Sequence, residues 1–246
     1  MEPDRLIPQG ISRYDVVSST NEKAKETLDE GMQEGAVILA ARQASGRGRY
    51  GRAWASPPGG LYLSIILKPE ERGVQLLSLL SGLPVVHTLR RFGVESSLKW
   101  PNDVLVDDRK ICGILCEGVY RRSVFWAVVG IGINVAVDLR RLPPDVQSSA
   151  TSIRRENGRD ADVESVLADL LKEYDDFYGA YARKETGRLL SEYRGTCTTL
   201  GESVVIETAK GRVSGRAIDV SSDGALVLDS GGRRVEVFEG TVVKPS

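Results

Sequence analysis

Apolar positions recur along this chain with two different spacings, and the switches between them divide it into elements. Residues 11 to 17 (ISRYDVV) read as a short strand. Ser18-Ser19-Thr20-Asn21 then offers capping side chains, with Glu22 three residues after Ser19, which predicts a helix to about Asp29. After Gly35 comes AVILAARQ, a continuous apolar run of strand length that predicts burial on both faces. Residues 61 to 67 (LYLSIIL) read as another strand. Leu76, Leu79, Leu80, Leu83, Val86 and Leu89 follow at helical spacing and predict a helix over 74 to 91 packed against it. The pieces LKW, DVLV, KICGILCEGVY and VFWAVVGIGINVAV are strand-like and divided by turn residues, with Asp107-Asp108-Arg109 as a hairpin loop. Residues 162 to 182 place Val163, Val166, Leu167, Leu170, Leu171, Tyr174, Phe177, Tyr178 and Tyr181 on one stripe, the pattern of a long helix docked on a core rather than a cofactor box.

From about Gly201 the chain breaks into short strands (SVVIET, RVSGRAIDV, ALVLD, RRVEVFEG) separated by Gly and Ser-Asp-Gly. The expected fold is therefore α+β: a mixed, largely antiparallel sheet with helices over residues 1–198, and a small β-barrel over residues 199–246. No internal repeat, coiled coil or low-complexity tract is apparent, and no segment long enough for a helix-turn-helix precedes the first strand.

Composition narrows the picture in three places. Hydrophobic residues at 41% and charged residues at 27% suit a soluble globular protein, and no apolar run reaches the roughly 18 residues of a membrane span. The start Met1-Glu2-Pro3-Asp4-Arg5 is acidic where a signal peptide would be basic, so a cytoplasmic location is expected. Three cysteines, Cys112, Cys116 and Cys197, form no CxxC pair and read as free thiols. With 33 basic against 34 acidic residues the whole molecule exerts no general pull on nucleic acid or anionic membrane, so anion binding must be local.

Arg42, Arg47, Arg49 and Arg52, set among Gly46, Gly48 and Gly51, supply such a place. Gly46 to Gly51 satisfies GxGxxG, but a dinucleotide fold needs a helix directly afterwards, and the two prolines and two glycines of Ser56-Pro57-Pro58-Gly59-Gly60 forbid one. Neither the HRD and DFG of a kinase nor a GxxxxGK[ST] phosphate loop occurs. A solvated surface loop is the plain alternative. Glycines that let the backbone approach a ligand, interleaved with forked guanidinium donors, suit an anion with several oxygens. Arginine repulsion and glycine entropy predict a loop that orders when an anion neutralises it.

Four separated segments coincide: Ser19-Thr20-Asn21; Gln43-Ala44-Ser45 leading into GRGRYGRAW; Lys99-Trp100-Pro101-Asn102-Asp103; and Lys110-Ile111-Cys112-Gly113-Ile114-Leu115 followed by Gly130-Ile131-Gly132-Ile133-Asn134. In order and spacing they resemble the biotin protein ligase family, strongly over residues 11 to 136. The β-rich tail resembles that family's SH3-like C-terminal domain, and the main domain its class II synthetase-like fold. The resemblance implies that Ser19, Thr20, Asn21 and Gln43 line a biotin pocket, closed by the backbone of Gly113 and Leu115, with Gly46 and Gly48 in the loop beside it. It implies that Arg47 and Arg49 hold the biotin carboxylate and a phosphate, that Lys110 bridges the two, and that Arg52 and Asn102 contribute to the ATP end. Trp54 would cover the adenylate and Asn134 would bond the adenine edge. Asp103, with Asn102, offers hard oxygen ligands suited to the Mg²⁺ that accompanies ATP. Ser19 reads equally as a helix cap, Lys110 as a solvated hairpin lysine, Trp54 as a half-buried residue and Asp103 as a brace for the turn after Pro101.

Tyr50 stands where a third arginine often sits in that family, and no DNA-binding extension precedes the first strand, which implies an enzyme without operator binding. The implied reaction activates biotin with ATP to biotinyl-adenylate and transfers it to a lysine of a biotin carboxyl carrier domain, by a homodimer, with no nucleic-acid or membrane partner. It needs charge and position rather than a protein nucleophile, and His87, within the helix expected over 74 to 91, reads as structural. A lipoate-protein ligase of the same superfamily, a non-catalytic biotin or nucleotide sensor and a nucleic-acid-binding module are the alternatives.

Overall fold

The computed structural model describes residues 6–159 and 161–243; the acidic start read against a signal peptide, residues 1–5, lies outside the described residues. β1 (Gly10–Val17) forms one edge of a sheet, α1 (Thr20–Asp29) returns the chain, and β2 (Ala36–Gln43) therefore pairs parallel to β1. β3 (Gly60–Leu67) turns back antiparallel on β2. Two helices follow, α2 (Val74–Leu80) and α3 (Gly82–Arg91), and then the antiparallel run β4 (Ser97–Lys99), β5 (Asp103–Val106), β6 (Arg109–Arg121) and β7 (Val124–Asn134). The seven strands lie in the order β1-β2-β3-β7-β6-β5-β4, so the sheet is mixed and largely antiparallel as its sequence suggests.

Helices α4 (Pro144–Gln147), α5 (Ile153–Asn157), α6 (Val163–Ala182) and α7 (Thr186–Thr196) come next. β8 (Ser203–Thr208), β9 (Gly211–Val220), β10 (Leu226–Asp229), β11 (Arg234–Val237) and β12 (Thr241–Val243) form a second, five-stranded antiparallel sheet. One continuous apolar core joins the two sheets through α2, α3, α6 and α7, while α1 packs on the opposite face of the larger sheet over Ala24, Leu28, Ile38, Ile66 and Val128. Among the described residues no helix is long and apolar enough to cross a membrane.

Three expectations change. The helix over 74 to 91 is two helices meeting at Ser81, because Pro84 has no N–H for the Leu80 carbonyl and its ring crowds that turn. Ser81 Oγ instead donates to Leu77 O (2.7 Å). Ser19 occupies the N-cap position of α1 with extended backbone, but its side chain makes no capping bond. Glu22, expected to complete that cap, turns outward to Lys25 and Arg47. The hairpin at Asp107-Asp108 has φ of 46° and 64°, the mirror-image turn that suits the twist of the flanking strands. His87 lies on α3 with Glu192 and Glu173 as ring partners, far in sequence from the Gly/Arg loop. The three cysteines are free thiols, and burial pushes that of Cys116 up to about 12.

Candidate active site

The hollow of the molecule follows from the two-residue period of its strands. In β7 the odd positions Val129, Ile131 and Ile133 enter the main core, whereas Gly130, Gly132 and Asn134 face the α1 side. β6 matches them: Gly113 pairs with Gly132 and Leu115 with Gly130. Glycines there let Trp54 and Asn21 settle directly on the sheet, and a cavity of about 440 Å³ forms beside them. The glycines are required, since a Cβ at Gly132 would come within 2.5 Å of Trp54 Nε1 and one at Gly130 within 2.3 Å of Asn21 Oδ1.

One end of the cavity is a neutral hydrogen-bond network. Gln43 Oε1 accepts from Thr20 N (2.8 Å) and Thr20 Oγ1 (3.2 Å), and Gln43 Nε2 donates to Ser56 Oγ (2.8 Å). Asn21 Nδ2 donates to Leu115 O (3.1 Å), tying the start of α1 to β6. Ser19, Thr20 and Asn21 are all buried, as helix-start polar groups can be when partnered this way.

The other end is cationic. The Gly/Arg segment forms a small hairpin, closed by Gly48 N to Arg52 O (2.7 Å) and Trp54 N to Gly46 O (2.8 Å). Tyr50 takes a left-handed backbone (φ 57°) at its tip. Arg47, Arg49 and Arg52 all line the cavity, each engaged within the chain: Arg47 Nη1 donates to Glu22 Oε1 (3.0 Å), Arg49 Nη1 to Gly240 O (3.4 Å) and Arg52 Nη2 to Thr241 Oγ1 (3.1 Å). Tyr50 is no substitute cation, but its hydroxyl accepts from Arg49 Nη2 (3.1 Å) and its ring lies under that guanidinium. The bond from Lys25 holds the Glu22 carboxyl below the usual carboxylate range, so Arg47 meets an ionised partner.

Lys110 enters from β6 and pairs with Asp103 Oδ1 at 2.6 Å, with its ammonium 5.2 Å from the centre of the Trp54 ring. Its main chain is fixed between Ser149 O and Thr151 N. Trp54 lies over the Gly113–Gly132 pair, and its buried Nε1 has no hydrogen-bond partner among the described residues. Asn134 donates to Thr151 O (3.0 Å), and its buried Oδ1 likewise has none. Asn102 Nδ2 donates to Ile114 O (2.7 Å), which sets the turn after Pro101 against β6.

The cavity thus gathers Ser19, Thr20, Asn21, Gln43, Arg47, Gly48, Arg49, Arg52, Trp54, Asn102, Asp103, Lys110, Gly113, Leu115 and Asn134 from four separated segments. Two arginine-loop residues stand apart. Gly46 is buried behind the wall, where a Cβ would strike Trp54 O at 2.4 Å, and Arg42 is exposed on β2 and does not line the cavity. Sequence reasoning missed Lys99, the glycines Gly130 and Gly132 as a floor, the segment around Ser149 and Ala150, and Gly240 to Val242 of the second sheet. Alternating glycines in a strand were the available signal for the floor. The other segments carry no periodicity that could have found them.

A neutral polar end facing a cationic end across one apolar floor defines a site for a small acid with a polar head, placed beside a second anion. Residues 14–134 match the model of the Biotin/lipoate A/B protein ligase family, and residues 199–244 that of the Biotin protein ligase C terminal domain. The chain is 33% identical to the biotin--[acetyl-CoA-carboxylase] ligase of Mycobacterium tuberculosis, over 98% of this chain and 92% of that one. It is 30% identical to the bifunctional ligase/repressor BirA of Bacillus subtilis, over 92% of this chain and 71% of that one. A solved structure, the biotin protein ligase from Aquifex aeolicus in complex with biotin and ATP, superposes with a TM-score of 0.83 at 31% identity, covering 96% of this chain and 98% of the other. This chain belongs to the biotin protein ligase family.

Proposed function

We propose that the cavity holds biotin and ATP side by side, joins them as biotinyl-adenylate and passes the biotinyl group to a lysine of a biotin carboxyl carrier domain. The observation that carries this reading is the convergence of Arg47, Arg49, Arg52 and Lys110 on one side of a hollow whose other end is the Thr20–Asn21–Gln43 network. The biotin ring lies beside Gly130 with its polar head at that network, and its carboxylate reaches Arg47 and Lys110. Asn134 Oδ1, a buried acceptor, takes the amino edge of adenine, and Trp54 covers the adenylate. A biotin carboxylate oxygen attacks the α-phosphorus of ATP and pyrophosphate leaves. The neutral ε-amine of the carrier lysine then attacks the acyl carbon, forming the amide and releasing AMP. Arg49 and Arg52 exchange their contacts with Gly240 and Thr241 for phosphate oxygens, which are stronger, charge-assisted partners.

Asp103 is the one carboxylate among the described residues lining the cavity. That fits Mg²⁺, which keeps most of its waters and takes further ligands from phosphates, so Asp103 with Asn102 would hold it and the ion would offset phosphate charge. The division at residues 198 and 199, an SH3-like tail, a cytoplasmic location and a homodimer belong to the same reading. The carrier docks along the outer edge of β6, which has no strand partner beyond Gly113 among the described residues.

Incubation with ATP, Mg²⁺ and either biotin or lipoate, following pyrophosphate release, tests the activity: release with biotin and not with lipoate is expected, and the reverse would replace the assignment. Two further outcomes are expected. Trypsin cleavage at Arg47, Arg49 and Arg52 should slow when biotin and ATP are both present, and equal rates would exclude closure of the loop over them. Gly130→Ala should raise the KM for biotin by about tenfold or more while leaving the KM for ATP near its starting value, because the new Cβ displaces Asn21. Equal shifts in both constants would place Gly130 outside the biotin end.

A further inference from the structure

Glu117, on β6 beyond the cavity wall, divides its carboxylate between two partners: Oε2 accepts from Asn21 Nδ2 (2.7 Å) and Oε1 from Lys25 Nζ (2.7 Å). Lys25 also binds Glu22 (3.0 Å), which holds Arg47 (3.0 Å), so a chain of charged bonds runs from the polar end of the cavity to the Gly/Arg loop. An asparagine amide has two hydrogens, and here Glu117 and Leu115 O are the acceptors for both. What Asn21 can turn to a ligand is its Oδ1. Ser64 Oγ lies 2.6 Å from that oxygen and 2.8 Å from Thr20 Oγ1, with one hydrogen for the two acceptors, while Thr20 directs its own hydrogen to Gln43 Oε1. Asn21 Oδ1 and Thr20 Oγ1 therefore share a single protein hydrogen, an arrangement that suits a head group bringing N–H donors.

We propose that Glu117 is a positioning residue that fixes the Asn21 amide with its oxygen available to the ligand, and thereby sets the preference for a cyclic urea over a head group without N–H. The proposal rests on the biotin reading above. Glu117→Gln leaves one carbonyl oxygen for two donors, and the Lys25 ammonium is the stronger claimant, so the glutamine Nε2 is turned against Asn21 Nδ2. The expected result in pyrophosphate exchange is a rise in the KM for biotin of about tenfold, with the KM for ATP near its starting value. Adding Lys25→Met in the same chain removes the competitor, frees that oxygen for Asn21 and should bring the KM for biotin most of the way back, a rescue that no merely structural role of Glu117 would produce.

An unchanged KM for biotin in Glu117→Gln, or a double variant no better than the single one, overturns the proposal. In the unsubstituted protein the Asn21 side-chain amide hydrogens, both held by protein acceptors, should exchange slowly with water by NMR, with and without biotin; fast exchange in the biotin-bound state overturns it without any variant. Failure of the unsubstituted protein to turn over biotin at all would instead defeat the underlying reading of the site.

Discussion

Lys110→Ala is expected to lower biotin-dependent pyrophosphate exchange by about 10²-fold or more, close to 3 kcal/mol of barrier. The reaction brings a carboxylate to a triphosphate, and a single ammonium between them offsets charge that both anions contribute. Here that ammonium stands over Trp54 and beside Asp103, and the residue's main chain is anchored on both sides, so truncation removes the charge without moving the strand. The Lys110–Asp103 pair is about one-third exposed, and its loss should change stability by less than about 1 kcal/mol. Lys110→Arg should restore only part of the rate, since a delocalised planar fork does not concentrate its charge between the two anions as a compact ammonium does. Transfer from biotinyl-adenylate supplied ready-made should fall less than exchange, because its acid is already activated. Exchange within a few-fold of the starting enzyme would remove Lys110 from the activation step.

What could be read in the sequence depended on whether a feature was local. The pattern VVGIGIN shows a strand directly, and its alternation of glycine and isoleucine encodes both a core face and a bare face. The face that glycine leaves open became legible only once Gly132 was seen beside Gly113 under the Trp54 indole. The helix over 163 to 182 was legible because its apolar stripe is long; the split at Ser81 was not, since leucines keep helical spacing across a break made by one missing N–H at Pro84. Short elements such as α5, and the closing strand β12, are held by tertiary partners rather than by propensity, which is why no pattern announced them. The charges of the Gly/Arg loop were visible in the sequence, but their partners were not. Glu22 is three residues past a helix start and read as a cap, and only the fold brings it to Arg47.

The contact between the arginine loop and the second sheet makes the junction of the two sheets matter to the site. Trp100 fills that junction: it is 1% exposed, its Nε1 donates to Gly224 O (3.3 Å) and its N donates to Thr199 Oγ1 (3.0 Å). Trp100→Ala is expected to cost about 3–5 kcal/mol, the range for emptying a large buried aromatic position. At roughly 2–4 °C per kcal/mol for a chain of this size, the Tm should fall by about 10 °C. Trp100→Phe keeps most of the volume and loses the bond to Gly224, so it should cost markedly less. Trp100 belongs to the core that both sheets share, so urea unfolding followed by fluorescence and by circular dichroism should remain a single coincident transition in Trp100→Phe and separate into two in Trp100→Ala. Because Gly240 and Thr241 hold Arg49 and Arg52, the alanine variant should also show a higher KM for ATP below its unfolding temperature. A variant with unchanged Tm would mean that the sheets are joined elsewhere, and an unchanged KM for ATP would mean that the arginine loop does not depend on the second sheet.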